Sequence, residues 1–548
     1  MCFQKNLMLL QLLLVLSCCM SSQVVVTAVL PGRWNLLLQN SGVSAMHTTL
    51  SHTGKIIIFD RTDYGASQIK LSPTDKCRND PKDVALVIDC WAHSVEFDPS
   101  TNSVRPLEIL TDTWCSSGAF LANGTLVQTG GWNDGAKVIR HFSPCYSAIC
   151  DWEEFPPQLA EKRWYASDQI LPDDRVIVVG GRKAFSYEFV PRQETELAFV
   201  PLPFLQQTND HKVENNLYPF LHLSSDGSLF IFANADSILL DYRSNSVIRR
   251  FPTMPGGSRN YPSTGSSIML PLLAAENFQR IEVMICGGAP SDAFTQAIAG
   301  IFLTALQSCG RMVITDTNPK WEMETMPISR VMGDMIILPN AQILIVNGAQ
   351  RGSAGWGLAR DPVLMPLLYS PSEAVSQRFQ ILSASTIARM YHSTANLLPD
   401  GRVLVGGSNT NTDYAFNGVL FPTELRLEAY SPYYLDSSFS ALKPTIIRFY
   451  PTTITLNSAF NVQFSVPTSP RSDLQISIYA PPFTTHSVSM NQRLLALSII
   501  NVKNLGGSTD LATVKSPPNA VAAPAGYYLL FVVNAGIPST GAWIQLQA

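Results

Sequence analysis

Five residues carry most of the chemistry this sequence offers: a cysteine, Cys115, two tyrosines, Tyr165 and Tyr391, and two histidines, His392 and His486. Of ten cysteines, Cys2, Cys18 and Cys19 fall in an N-terminal stretch with the character of a cleaved leader. Seven remain: Cys77, Cys90, Cys115, Cys145, Cys150, Cys286 and Cys309. An exported chain pairs its thiols, so an odd one needs a partner of another kind. Cys115, in the run Thr-Trp-Cys115-Ser-Ser-Gly, is the odd one, and a tyrosine is the partner the sequence offers. Histidine is scarce, with eight in the chain. His392 directly follows Tyr391, and His486 lies in Phe-Thr-Thr-His486-Ser. Composition and spacing alone leave each of these histidines open as a structural residue or a ligand. His47 and His52 read as structural.

The elements that must position these residues are strands. A short β run ending in small residues recurs along the chain. It reads Gly54-Lys-Ile-Ile-Ile-Phe, Gly124-Thr-Leu-Val-Gln-Thr-Gly-Gly, Asp174-Arg-Val-Ile-Val-Val-Gly-Gly and Gly227-Ser-Leu-Phe-Ile-Phe-Ala. It continues as Ile281-Glu-Val-Met-Ile-Cys-Gly-Gly, Ala341-Gln-Ile-Leu-Ile-Val-Asn-Gly and Gly401-Arg-Val-Leu-Val-Gly-Gly. Seven turn-plus-buried-strand copies, roughly fifty to seventy residues apart, predict a seven-bladed β-propeller of kelch type. About fifteen residues upstream of most of these ends, a second register aligns Met46, Cys115, Tyr165, Tyr218, Tyr261, Met332 and Tyr391, the Tyr261 copy only with an insertion. Blades are related by rotation about one axis, so these residues are expected to ring the hub, with Cys115 and Tyr165 on adjacent blades. Beyond about residue 440 the glycine pairs stop. Alternating runs such as Thr445–Tyr450, Phe460–Val466, Leu474–Tyr479 and Tyr527–Asn534 predict an immunoglobulin-like β-sandwich.

Composition narrows the setting. A lysine (Lys5), an apolar run from Leu7 to Leu16 and small residues through Ser22 have the order of a signal peptide over 1–22. The propeller is then expected over 23–440 and the sandwich over 441–548. The net charge is −4 and charged residues make up 15% of the 548, without a basic block, which argues against nucleic acid and anionic membrane as partners. The 37 prolines and 33 glycines suit a strand-and-turn protein outside the cell. Asn123-Gly-Thr125 is a glycosylation sequon that could equally be an unmodified turn.

The runs Thr-Trp-Cys115-Ser-Ser-Gly, Arg-Trp-Tyr165-Ala-Ser, Arg-Met-Tyr391-His392-Ser and Thr-Thr-His486-Ser, with Gln492-Arg493 following, resemble the glyoxal oxidase and galactose oxidase class of copper radical oxidases. The resemblance covers nearly the whole chain after the leader. It implies a thioether bond joining Cys115 to Tyr165 and a radical held on that linked tyrosine. It implies copper bound by Tyr165, His392 and His486, with Tyr391 as axial ligand and general base. It also implies a secreted, apoplastic or wall-associated enzyme that oxidises small aldehydes, as hydrates, with O2 and releases H2O2. The other six cysteines then pair by proximity as Cys77–Cys90, Cys145–Cys150 and Cys286–Cys309.

One departure stands out. Galactose oxidase covers its linked tyrosine with an aromatic ring just after the double glycine, where this chain reads Gly180-Gly181-Arg182-Lys183-Ala-Phe185. Lys183 takes that position, so Phe185 or another residue must do the covering. This turns the expectation away from galactose and toward the glyoxal oxidase branch. A primary alcohol or sugar oxidase remains as an alternative within the enzyme class. The alternative outside it is a silent propeller binding wall glycan or protein.

Overall fold

Each of the seven small-residue runs forms the second strand of a four-stranded antiparallel blade in the computed structural model, which describes residues 31–548 apart from 74–75, 148, 156–157 and 468–472. The expected signal segment lies outside the described residues. These second strands are Ile56–Phe59, Leu126–Thr129, Val176–Gly180, Leu229–Ala233, Glu282–Gly287, Ile343–Val346 and Val403–Gly407. Neighbouring blades cover both of their faces, which is why most of them read as apolar runs instead of alternating ones. Ile56, Ile57, Ile58 and Phe59 are all fully buried, each stabilising the blade by about 1.5–3 kcal/mol. The ring closes through its ends. Strand Arg33–Leu38 pairs with Leu427–Ser431, so the start of the described chain supplies the outer strand of blade 7.

Ahead of four inner strands stands a buried arginine that donates to the carbonyl of the left-handed turn residue closing its own blade's second strand. Arg163 reaches Gly180 O at 2.8 Å, Arg259 reaches Gly287 O at 2.7 Å and Arg389 reaches Gly407 O at 2.6 Å. Arg330 bonds Asn347 O in the same way. A buried carbonyl must find a donor, and a charged one contributes about 1.5–3 kcal/mol. The arginine is therefore a fixed point of each of these blades, while the length of chain from it to the inner strand varies.

That variation corrects the hub alignment. Cys115, Tyr165, Tyr218, Met332 and His392 share left-handed backbone, with φ of 53°, 63°, 51°, 61° and 64°. Tyr165 N donates to Cys115 O, Tyr218 N to Tyr165 O, and Met332 N to Thr264 O. The hub rank therefore passes through Thr264 in blade 5 and His392 in blade 7. Tyr261 stands three residues ahead of it and Tyr391 one, because alignment on the arginine hides those extra residues.

The C-terminal part packs two sheets face to face. One holds Thr445–Tyr450, Ala459–Ser465, Ser498–Gly506 and Thr509–Lys515. The other is built around Gln475–Ala480, Gly526–Asn534 and Ala542–Gln547. In Ala459–Ser465 every second residue is buried, as the alternating sequence predicts. The fold is all-β, a seven-bladed propeller followed by an immunoglobulin-like sandwich. No described helix is long and apolar enough to cross a membrane.

Two histidines of the blades set a pH limit on stability. Burial pushes His47 and His222 down to about 3, from an ordinary value near 6.5. The unfolded chain takes up those two protons below pH 6.5 and the folded chain does not. Stability present above pH 6.5 is therefore lost as pH falls toward 3, by about 1.4 kcal/mol per pH unit for each histidine. Chemical denaturation of His222→Gln at pH 6.5 and 4.5 should show a smaller loss than the wild type, by about one proton's worth. Equal losses in the two proteins would contradict it.

Candidate metal centre

The C-terminal part enters the propeller through one hairpin. Strand Phe483–Thr485 pairs with His47–Leu50, the inner strand of blade 1, and turns back as Val488–Met490. The two residues at its tip, His486 and Ser487, both have positive φ, 48° and 66°. That is a type I′ turn, whose positions favour asparagine and glycine. A histidine there costs about 1–3 kcal/mol and is kept where the surroundings impose it. The surroundings do. Gln492 accepts from Ile337 N at 2.7 Å and donates to Met335 O at 3.0 Å, while Asn491 accepts from Ile170 N at 2.7 Å. These pegs lock the hairpin to the inner strands of blades 3 and 6. The sequence displays Gln492 and Asn491 without any sign of this work.

Around the hairpin tip the other chemical residues converge. His486 Nε2 lies 3.2 Å from Cys115 Sγ, and its Nδ1 lies 2.6 Å from Thr485 Oγ1. The ring of His392 is 4.7 Å from that of His486 and stacks on Tyr391 at 3.7 Å. Tyr165 and Tyr391 both lie edge-on to His486, at 5.8 and 5.6 Å. Cys115, His392 and His486 bring their ligand atoms within 4.8 Å of one another, and all are buried. The structure thus brings together all five residues singled out in the sequence.

Electrostatics favour a metal here. Burial holds His392 and His486 well below the ordinary histidine range, so both imidazoles are neutral with lone pairs available. His392 Nε2 is buried without a hydrogen-bond partner, a state that costs about 1–3 kcal/mol unless something coordinates it. Burial raises Cys115, Tyr165 and Tyr391 well above their usual values, so thiol and phenols stay protonated until a cation displaces the protons. Two neutral imidazoles and two phenols form the nitrogen and oxygen donor set that copper(II) prefers. The residues present fit copper.

Tyr261 is the residue whose part here the sequence hid. Its ring stacks on Tyr165 with centroids 4.4 Å apart and planes inclined by 26°. It accepts from Tyr165 Oη at 3.1 Å and lies 3.1 Å from Tyr391 Oη. Of the two alternatives for covering Tyr165, Phe185 or another residue, the structure shows the second: Tyr261 does the stacking, while Phe185 is partly buried against the core between blades 3 and 4 and Lys183 is exposed. Tyr218 donates to Ser116 O at 2.9 Å and meets the Tyr165 ring edge-on at 5.5 Å. His47 stacks on Phe59 and His52 on Tyr527, the structural settings expected of them. The remaining cysteines form Cys77–Cys90, Cys145–Cys150 and Cys286–Cys309, and Cys115 is free and buried. A cavity of about 260 Å3, lined in part by Arg182, Lys212 and Phe294, reaches Tyr165 and Tyr261.

Known proteins agree with this geometry. Residues 46–434 match the glyoxal oxidase N-terminus family and 443–546 the galactose oxidase-like early set domain. The chain is 48% identical to aldehyde oxidase GLOX1 of Arabidopsis thaliana, over 94% of this chain and 85% of that one. It is 46% identical to aldehyde oxidase GLOX of Vitis pseudoreticulata, over 96% and 99%. A fungal alcohol oxidase solved with copper shares the fold, with a TM-score of 0.70 and 17% identity over 94% of this chain and 100% of that one. With five reactive side chains gathered at the hub and both parts of the chain matched, this protein belongs to the glyoxal oxidase family of copper radical oxidases.

Proposed function

We propose that the chain is a secreted copper oxidase that converts small aldehydes, as their hydrates, to carboxylic acids. The reaction balances as RCH(OH)2 + O2 → RCOOH + H2O2. The observation that carries this reading is the convergence of two neutral buried imidazoles, two phenols and one free thiol on a single point of the hub. Tyr165, His392, His486 and Tyr391 would hold the metal. Bound there, copper would supply one of the two oxidising equivalents and the site at which O2 is reduced.

The chain's own residues do the rest. Cys115 and Tyr165, on adjacent blades, become joined by a thioether that replaces the thiol S–H and one ring C–H beside the phenol oxygen, the two hydrogens passing to O2 as H2O2, and the sulfur substituent spreads the unpaired electron of the oxidised phenol. That linked phenol supplies the second equivalent. Tyr391 takes the substrate's hydroxyl proton as general base. Tyr261, in hydrogen-bond reach of both phenol oxygens, fixes their separation. A binding module for wall glycan or protein would have no use for an orphaned, buried His392 Nε2. The hub also holds its residues in strained backbone, which is expected where geometry sets a rate.

That both plant relatives are named aldehyde oxidases favours aldehydes over sugars as substrates of this chain. A peroxide assay with methylglyoxal, glyoxal and galactose tests this: turnover of the first two well above galactose is expected. Equal or greater turnover of galactose would contradict it and move the reading to primary alcohols. Asn123 is exposed on the turn between the first two strands of blade 2, open to the glycan expected of an exported chain. A mass shift of the peptide bearing Asn123 on treatment with a glycosidase checks that modification.

A further inference from the structure

Four of the chain's nine tryptophans meet beside the hub. Trp164 lies 4.8 Å from Tyr165, ring centre to ring centre, and Trp132 lies 4.2 Å from Trp164. Trp114 is 5.0 Å from Trp164, and Trp356 stacks on Trp114 at 5.3 Å. Tyr165 is only 3% exposed, whereas Trp132 and Trp164 are partly open to solvent. The indole N–H groups of Trp114, Trp164 and Trp356 are buried without partners, so hydrogen bonding does not explain the cluster.

We infer that Trp132 and Trp164 form a one-electron path between the surface and Tyr165, by which an outer-sphere oxidant in solution charges the buried site. The inference rests on the copper radical reading above. The Tyr165 phenol is only 3% exposed, so a bulky oxidant meets the edges of Trp132 and Trp164 more readily than it, and rings in contact pass an electron in short steps. One electron passes from the linked phenol, through the contacting rings of Trp164 and Trp132, to an oxidant such as hexacyanoferrate(III), which becomes hexacyanoferrate(II), leaving the electron deficit on that phenol. With Tyr165 bound as a phenolate, no proton has to move. Arg182 sits over the Trp164 ring at 5.3 Å and Arg61 over Trp114 at 4.7 Å. A fixed cation disfavours a second positive charge on the indole beneath it. The deficit therefore passes through Trp164 and settles on Tyr165.

The test uses the copper-loaded full chain, first reduced to its radical-free form. Stopped-flow absorbance of the radical is followed after mixing with hexacyanoferrate(III). Trp132→Phe is expected to slow radical formation at least about tenfold, and Trp164→Phe to do the same. Turnover of Trp132→Phe after full oxidation should keep its kcat and KM. Trp356→Phe, off the path, should oxidise at the wild-type rate. Wild-type rates in both path variants would overturn the inference, and so would equal slowing in Trp356→Phe. A reduced wild type that carries the Cys115–Tyr165 link but never develops the radical would also overturn it. Absence of the link itself would sink the copper radical reading, and this inference with it.

Discussion

His486→Ala is expected to lower copper affinity well beyond about a hundredfold and to abolish peroxide formation, while the propeller remains folded. The figure follows from the metal-site hierarchy. Losing a partner of a ligand typically costs about 10–100-fold in affinity, and losing a ligand costs more. His486 is also the one candidate ligand that the C-terminal part supplies, carried by a hairpin tip that Gln492 and Asn491 hold against blades 3 and 6. Removing its ring leaves His392 as the single imidazole. Isothermal titration with copper, a peroxide assay and a thermal melt together test this. Loss of copper binding with an unchanged melt supports the assignment. Near wild-type affinity would remove His486 from the metal site.

Tyr391→Phe should act differently, leaving the thioether intact but lowering kcat by about 10²–10⁴, the usual worth of a positioned general base. Burial raises the Tyr391 phenol well above its usual value, so without a metal it is an acid that holds its proton. Only a cation bound alongside makes it a base at neutral pH, which ties its part in catalysis to the metal site. The ring is held by stacking on His392 at 3.7 Å, so phenylalanine fits the same space. A fall in kcat at nearly constant KM marks the loss of a group acting in the transition state. A kcat within about tenfold of the wild type would assign the proton to another group.

Much of this centre was legible in the sequence because it rests on repetition. The small-residue ends of the seven second strands mark the blades, and the arginine flanks point to the hub. The odd cysteine marks Cys115 as chemically different from its six paired relatives. What the sequence hid is geometric. The chain from Arg259 to its inner strand is three residues longer than that from Arg163, and this turns Tyr261 across Tyr165 instead of into the hub rank. Phe185 is an aromatic ring of the kind a cover needs, but it lies partly buried against the core between blades 3 and 4 instead. The reach of His486 into the hub depends on strand pairing between residues more than four hundred positions apart, His47 and Thr485. No local pattern encodes such a contact.

The proposed thioether is the feature on which the functional reading depends, and mass spectrometry tests it directly. The full chain is treated with copper and oxygen, its disulfides are reduced, and it is digested. A linked peptide joining Cys115 to Tyr165, lighter by two hydrogens than the two separate peptides combined, is the expected product. It should vanish in Cys115→Ala. Separate, unmodified peptides bearing Cys115 and Tyr165 after that treatment would contradict the account.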